Sequence, residues 1–93
     1  MALQVTDNQS KHRFEATVEG HTAVAEYRRR GDIIIFTHTE VPEELAGQGV
    51  GGKLVSAALD QTRAAGLRVI PACSFVAAFI DRHPEYQDLV ADE

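Results

Sequence analysis

The stretch Ala46-Gly47-Gln48-Gly49-Val50-Gly51-Gly52-Lys53-Leu54 decides how this chain is read. Upstream lies the apolar run Ile33-Ile34-Ile35-Phe36. Downstream Val50, Leu54, Val55, Ala58, Leu59 and Thr62 fall on one helical stripe that predicts a helix over 50–65, with Gly66 at the position of a left-handed C-terminal cap. A strand, a glycine-rich loop and a helix in that order make an anion site. Glycine lets backbone N–H groups approach a phosphate, and the helix N-terminus adds positive potential. The plainer alternative is a flexible turn, yet glycines inside a helix cost about 1 kcal/mol each. The expectation is a phosphate-bearing ligand.

Working outward, residues 1–11 are polar and unpatterned. Then Phe14, Ala16 and Val18 alternate along a strand, Gly20-His21 turns the chain, Ala23, Ala25 and Tyr27 share one face of a second strand, and Gly31-Asp32 turns it again. Two antiparallel hairpins in series follow from this. Asp32 to Thr39 opens apolar on both faces, the pattern of an interior strand covered on both sides, and is expected at the centre of the sheet. Arg68-Val69-Ile70 is a short strand. Pro71 removes a ladder donor there, so the sheet should splay. Ser74 is placed to cap a helix with Phe75, Val76, Phe79 and Ile80 inward. Pro84 stops that helix and opens a last turn with Tyr86, Leu89 and Val90 inward. The fold class is α/β (α+β): a mostly antiparallel sheet with splayed strands, one long helix after the glycine loop, and one or two short C-terminal helices.

Composition narrows the function. At 93 residues, 44% of them hydrophobic and 25% charged, the chain has the make-up of one small globular domain, 1–93, without linkers or repeats. A net charge of -5 disfavours nucleic acid and suits cationic partners. The one basic cluster, Arg28-Arg29-Arg30, reads as a solvated hairpin tip. No apolar run approaches the ~20 residues of a membrane span. The start, Met1-Ala2-Leu3-Gln4-Val5-Thr6-Asp7, shows neither the basic nor the apolar region of a secretory signal, so a cytoplasmic location is expected. The single cysteine excludes an internal disulfide, and the four histidines lack ligand-like spacing, so no metal is expected. Exposed sheet edges make a monomer or weak homodimer the expected state.

Three motifs overlap at the glycines. Gly47, Gly52 and Lys53 imitate a nucleotide-hydrolysing loop, but Leu54 stands where a Ser or Thr must hold magnesium. Gly47, Gly49 and Gly52 fit the dinucleotide fingerprint, but antiparallel hairpins precede them and no acidic residue follows the strand at 68–70. The third is the loop Q/R-x-x-G-x-G/A, which Ala46-Gly47-Gln48-Gly49-Val50-Gly51 matches except at Ala46. With His38-Thr39-Glu40-Val41-Pro42, Ile70-Pro71-Ala72-Cys73-Ser74-Phe75-Val76 and Arg82-His83-Pro84-Glu85-Tyr86, the chain resembles the small, truncated GNAT-like N-acetyltransferases over nearly its whole length. The resemblance implies a reduced GNAT core, with the acyl arm of CoA between two splayed strands and its pyrophosphate on the loop. The implied activity is transfer of acetyl from acetyl-CoA, as co-substrate, to a primary amine of a small molecule or protein. The alternative is a non-catalytic acyl-CoA-binding or interaction module, since the segments that wall in a GNAT acceptor are short or missing.

The candidate cofactor-binding residues are Gly47, Gln48, Gly49, Val50, Gly51 and Gly52, with Lys53 as a further CoA contact. The resemblance adds Val41, whose backbone N–H would polarise the thioester oxygen. The candidate catalytic residues are Cys73 and His38. Cys73, between a strand end and a helix start, can be a low-pKa thiol or a small buried hydrophobe. His38 follows Ile34 and Phe36 on one strand face and can accept an amine proton or sit hydrogen-bonded in the core. Glu43 and Glu44 can draw a cation to the mouth or simply solvate a turn. His12 and His21 read as surface residues, and His83 as a cap on helix carbonyls with CoA as its alternative.

Overall fold

A computed structural model describes residues 3–91; Met1 and Ala2, part of the stretch read for a signal, lie outside it. Its strands are β1 (Thr6–Asn8), β2 (Arg13–Val18), β3 (His21–Arg30), β4 (Ile33–Glu40) and β5 (Arg68–Pro71). The helices are α1 (Val50–Ala64) and α2 (Ser74–Arg82), with 3-10 turns at Gln9–Lys11, Glu43–Leu45 and Pro84–Leu89. The sheet order is β1-β2-β3-β4-β5, with every pairing antiparallel except β4 with β5.

Both expected hairpins are present. The first closes on the pair Val18↔His21, so its loop is Glu19-Gly20, one residue earlier than the sequence reading placed it. Both loop residues have positive φ, as a type I′ hairpin requires. The second closes on Arg30↔Ile33 around Gly31-Asp32. The polar start of the chain is not structureless: β1 pairs with β2, and Asp7 accepts a 2.6 Å hydrogen bond from the Tyr27 hydroxyl two strands away. The central strand is β3, not β4, because β1 adds an edge on that side.

The helices cover one face of the sheet. Phe14, Ala16, Ala23, Ala25, Tyr27, Ile34, Phe36 and Val69 form one buried cluster with the inner stripes of α1 and α2. Ile33 and Ile35 are only half-buried, and Val24, on the same opposite face, lies outside that cluster. Covering of β4 on both sides is therefore a correction: one face packs and the other is open. On α1 the predicted stripe is the buried one, with Gly51 added to it. The helix closes in a Schellman motif. The Gly66 N–H donates to Arg63 O at 3.0 Å, the Leu67 N–H donates to Thr62 O at 3.1 Å, and Gly66 takes φ 75°.

β4 and β5 run together only as far as Phe36↔Pro71. The Cys73 N–H then donates to Phe36 O at 2.8 Å, and the chain turns into α2 while β4 continues alongside β3 to Glu40. The splay at Pro71 is thus present. The C-terminal turn folds back so that Tyr86 and Leu89 are buried and Val90 bridges Val69. No helix among the described residues is long and apolar enough to cross a membrane.

Candidate acyl-transfer site

The loop does what its glycines allow. Gly47 and Gly49 take φ 81° and 73°, and Gly49 is the N-cap of α1. The first intrahelical bond runs from the Lys53 N–H to Gly49 O at 3.1 Å, so the N–H groups of Val50, Gly51 and Gly52 precede it at the positive end of the helix. Gly51 meets a different demand: a Cβ there would lie 2.9 Å from Phe75 Cζ and 3.2 Å from Val41 Cγ2. Only a residue without a side chain lets these two approach the first turn. Between them lies a trough of about 280 Å³ lined by Val41, Leu45, Ala46, the loop glycines, Val50 and Phe75. Gln48 is exposed, and its amide donates back to Glu44 O at 3.4 Å. A glycine cradle at a helix N-terminus, open on one side and apolar on the other, fits a pyrophosphate joined to a slender arm.

Val41 joins the trough to the end of β4. Val41 is the first residue past the last ladder pair of β4, Val24↔Glu40. At the mouth the Thr39 hydroxyl lies 3.5 Å from Cys73 Sγ. Cys73 is 9% exposed and belongs to the core cluster, so the buried reading holds for its position. Its chemistry is not that of an inert core thiol. Burial pushes the thiol up, but the Thr39 hydroxyl, the N–H groups of Val76 and Phe75, and the Thr39 N–H outweigh it and hold the thiol below its ordinary value. Cys73, not Ser74, is the N-cap of α2, with β-region φ and ψ. The sulfur makes no side-chain capping hydrogen bond, but it feels the N–H groups of Phe75 and Val76 in the first turn.

His38 is not beside Cys73. On β3 Tyr27 pairs with Phe36 and Glu26 pairs with His38, so Thr37 is an extra residue in β4. Directly opposed residues share a face. The bulge therefore turns His38 to the open face with Glu26 and Glu40, where its Nε2 lies 3.7 Å from Glu40 Oε1. Thr39 takes the helix-covered face opposite Ala25. The placement of His38 on one face with Ile34 and Phe36 is corrected accordingly. His38 and Thr39, neighbours in sequence, reach the splay from opposite sides of the sheet.

Phe75 also departs from the expected inward stripe of α2. It is the one large apolar side chain exposed among the described residues, at 40%, and it walls the trough. Its proximity to Gly51 is a long-range contact that helical periodicity alone does not contain. His83 caps as read, with Nδ1 at 2.8 Å from Phe79 O. Of the other candidates, Glu44 lies 3.8 Å from His21 Nδ1 on the surface, and Glu43 is exposed in the first turn of the 3-10 segment. Among the described residues no cluster of three or more His, Cys, Asp or Glu could hold a metal ion.

Among curated proteins no relative matches. The solution structure of a GCN5-like protein from Staphylococcus aureus, determined by NMR, superposes with a TM-score of 0.73 at 29% sequence identity, over 99% of this chain and 91% of that one. The sequence profile of GCN5-related N-acetyl-transferases matches residues 13–89, from the start of β2 to the C-terminal turn. That profile spans the glycine loop, the splay and the bulged fourth strand, and the chain is a member of the GCN5-related N-acetyl-transferase family.

Proposed function

We propose that the chain transfers an acetyl group from acetyl-CoA to a primary amine. One observation carries the reading: Val41, which lines the loop trough, follows directly on the end of β4, whose Thr39 hydroxyl lies 3.5 Å from Cys73 Sγ, so an extended thioester would lie with its pyrophosphate on the loop and its acyl end toward Thr39 and Cys73. The N–H groups of Gly51 and Gly52 receive the pyrophosphate, and Gly47, Gln48 and Val50 shape the loop around it. Acetyl-CoA supplies the activated carbonyl. The Val41 N–H donates to its oxygen, where negative charge builds up as the amine attacks.

The acceptor enters from the open face, where Glu26 and Glu40 favour a cation. His38, on that face, takes the proton released by the attacking nitrogen. Breaking of the carbon–sulfur bond leaves a CoA thiolate, and Cys73 gives its proton to that sulfur. A thiol held below its ordinary value is a better acid for this step, because the N–H groups of Phe75 and Val76 stabilise the thiolate that remains. The cysteine then regains a proton from solvent, and amide and free CoA leave.

Calorimetric titration with acetyl-CoA, paired with release of free CoA thiol in the presence of small amines and lysine peptides, tests the reading. Saturable binding lost in Gly49→Glu, with turnover lost in Cys73→Ala at unchanged affinity, supports it. Binding without turnover for every amine points to a non-catalytic acyl-CoA module. No binding at millimolar ligand overturns the proposal.

A further inference from the structure

The basic run Arg28-Arg29-Arg30 has no part in the chemistry derived so far, and the fold does not leave all of it at a hairpin tip. Arg28 pairs with Ile35, two ladder pairs back from the closing pair Arg30↔Ile33. The Arg29 guanidinium turns to the loop, where it donates to Gly31 O at 3.0 Å. Arg28 shares the open face with Ile35, and two residues earlier on the same strand Glu26 stands on that face opposite His38. A pocket of about 580 Å³ lies here, and its lining includes Lys11, His12, Glu26, Arg28, Arg29 and Thr37.

The bulge explains where the pocket sits. Thr37, the extra residue of β4, lines it, and the Thr37 hydroxyl donates to Glu26 O at 3.4 Å, so the pocket opens beside the irregularity that turns His38 to this face. The far wall comes from the turn before β2. There the Tyr27 N–H donates to His12 O at 2.9 Å, which brings Lys11 and His12 alongside the middle of β3. The local charge runs against that of the molecule: in a chain of net charge -5, three cations and a single carboxylate, Glu26, line the pocket. Glu15, which feels Lys11 at a distance, already accepts from Arg13 and Asn8. Neither the Lys11 nor the Arg28 side chain has a hydrogen bond or ion pair to another described residue. The open face is thus bipolar along β3, with His38 and Glu26 at one point and free cations about 7 Å farther along, the rise of two strand residues.

We propose that this pocket selects the acceptor: a small molecule whose amine is joined by a short chain to a carboxylate or phosphate, with the anion on Lys11 and Arg28 and the amine at Glu26 and His38. The inference rests on the amine-acetylation reading and narrows it. A guanidinium and an ammonium that hold no protein carboxylate give up nothing by taking a ligand's, and the pocket has the volume of a small-molecule site. The same cations repel an amine that brings no anion, so the residues that hold an ω-amino acid also exclude simple alkylamines. Transfer itself proceeds as above, with the anionic group unchanged.

The test compares transfer from acetyl-CoA to three amines of equal chain length: 5-aminopentanoate, 3-aminopropyl phosphate and the neutral 5-aminopentanamide. The better anionic amine should exceed the amide in kcat/KM by about tenfold or more, the range of a charge-assisted hydrogen bond, and high salt should shrink the ratio. Combined Lys11→Gln and Arg28→Gln substitutions should bring it near one. Binding is read separately, without turnover, from the backbone amide resonances of Arg28 and Thr37 in the unsubstituted protein, which the anionic amines should shift and the neutral one should not. A ratio near one in the parent, or a preference that survives the double substitution, overturns the inference and leaves acetyl transfer standing. A blocked Lys-Asp peptide that outcompetes both anionic amines overturns the assignment to a small molecule. Absence of transfer to every amine overturns the reading beneath, and the resonances then decide the pocket: shifts with the anionic amines alone uphold an anion site there, and unmoved resonances remove it.

Discussion

Gly51→Ala sets a gain in stability against a loss of function at a single carbon atom. Gly51 is the second residue of α1, so exchanging glycine for alanine favours the helix by about 0.5–1 kcal/mol. The new Cβ meets Phe75 Cζ at 2.9 Å and Val41 Cγ2 at 3.2 Å, too close for either to stay. Phe75 is 40% exposed and the contact is at the far end of its ring, so the ring can swing outward at a cost of about 0.5–1.5 kcal/mol. The two effects nearly cancel, and since 1 kcal/mol moves Tm by about 4–8 °C in a domain of this size, Tm should stay within roughly 5 °C of the parent. Ligand binding has no such offset. The methyl group intrudes into the trough and the swung Phe75 ring no longer walls it, so acetyl-CoA affinity should fall at least about tenfold, or 1.4 kcal/mol. Scanning calorimetry and titration calorimetry on one preparation decide the matter. Parental affinity would show that the acyl arm does not pass between these side chains. A Tm loss beyond about 10 °C would show that Phe75 cannot yield, which would refute the account of its exposure.

Three further outcomes follow from the same structure. Tyr27→Phe removes the 2.6 Å bond to Asp7 and should cost about 1.5 kcal/mol at neutral pH. Burial, then the Asp7 carboxylate, push the Tyr27 hydroxyl up to about 12 from 10.0, so this advantage is complete below pH 10 and should vanish as pH rises through about 12, which alkaline urea titrations will reveal. Thr39→Val removes from Cys73 the hydroxyl that is the largest of the groups holding its thiol down, so thiolate absorbance should appear at higher pH than in the parent. The parent should also gain stability over Cys73→Ala as pH climbs toward 9, because a lowered folded pKa stabilises above it and the gain is lost as pH falls through it. Gly66→Ala forces a Cβ into φ 75° and should lower Tm by about 4–8 °C, or ~1 kcal/mol, with acetyl-CoA binding unchanged.

The parts of this fold that sequence reveals are those governed by local periodicity. The α1 stripe repeats every three or four residues, and its buried face was legible residue by residue because one helix, packed on one side, needs nothing from elsewhere in the chain to define that face. The hairpins announced themselves through Gly20 and Gly31, and the splay through Pro71. β1 was not legible. Its three residues, Thr6–Asn8, carry no apolar alternation, and what holds them is pairing with β2 and the bond from Tyr27 to Asp7, both contacts between distant positions. The exposed ring of Phe75 was hidden for the same reason: its place depends on an absent side chain at Gly51, 24 positions earlier in the sequence.

The bulge at Thr37 matters most for the site, and nothing in the run Phe36-Thr37-His38-Thr39-Glu40 signals it. Strict alternation from Ile34 and Phe36 sends His38 inward and Thr39 outward, whereas one extra residue reverses every side chain after it. If Thr37 stayed and the strand alternated strictly, Thr39 would face away from Cys73 and the thiol would lose the hydroxyl that helps hold it below its ordinary value. With the bulge, a hydroxyl and the start of α2 act on the sulfur from one side of the sheet while a histidine and two glutamates stand on the other. A proton donor for a departing thiolate and an acceptor for an incoming ammonium have opposite requirements, and a sheet one strand thick keeps them apart. Deleting Thr37 should remove the bulge and leave His38 directly after Phe36, so that alternation keeps His38 on the open face and Thr39 on the covered one in the same pairings with β3. Acetyl-CoA binding and transfer should then both persist, and a deletion variant that binds acetyl-CoA but loses transfer would refute the view that the facing of these two side chains, and not the extra residue itself, is what the reaction needs.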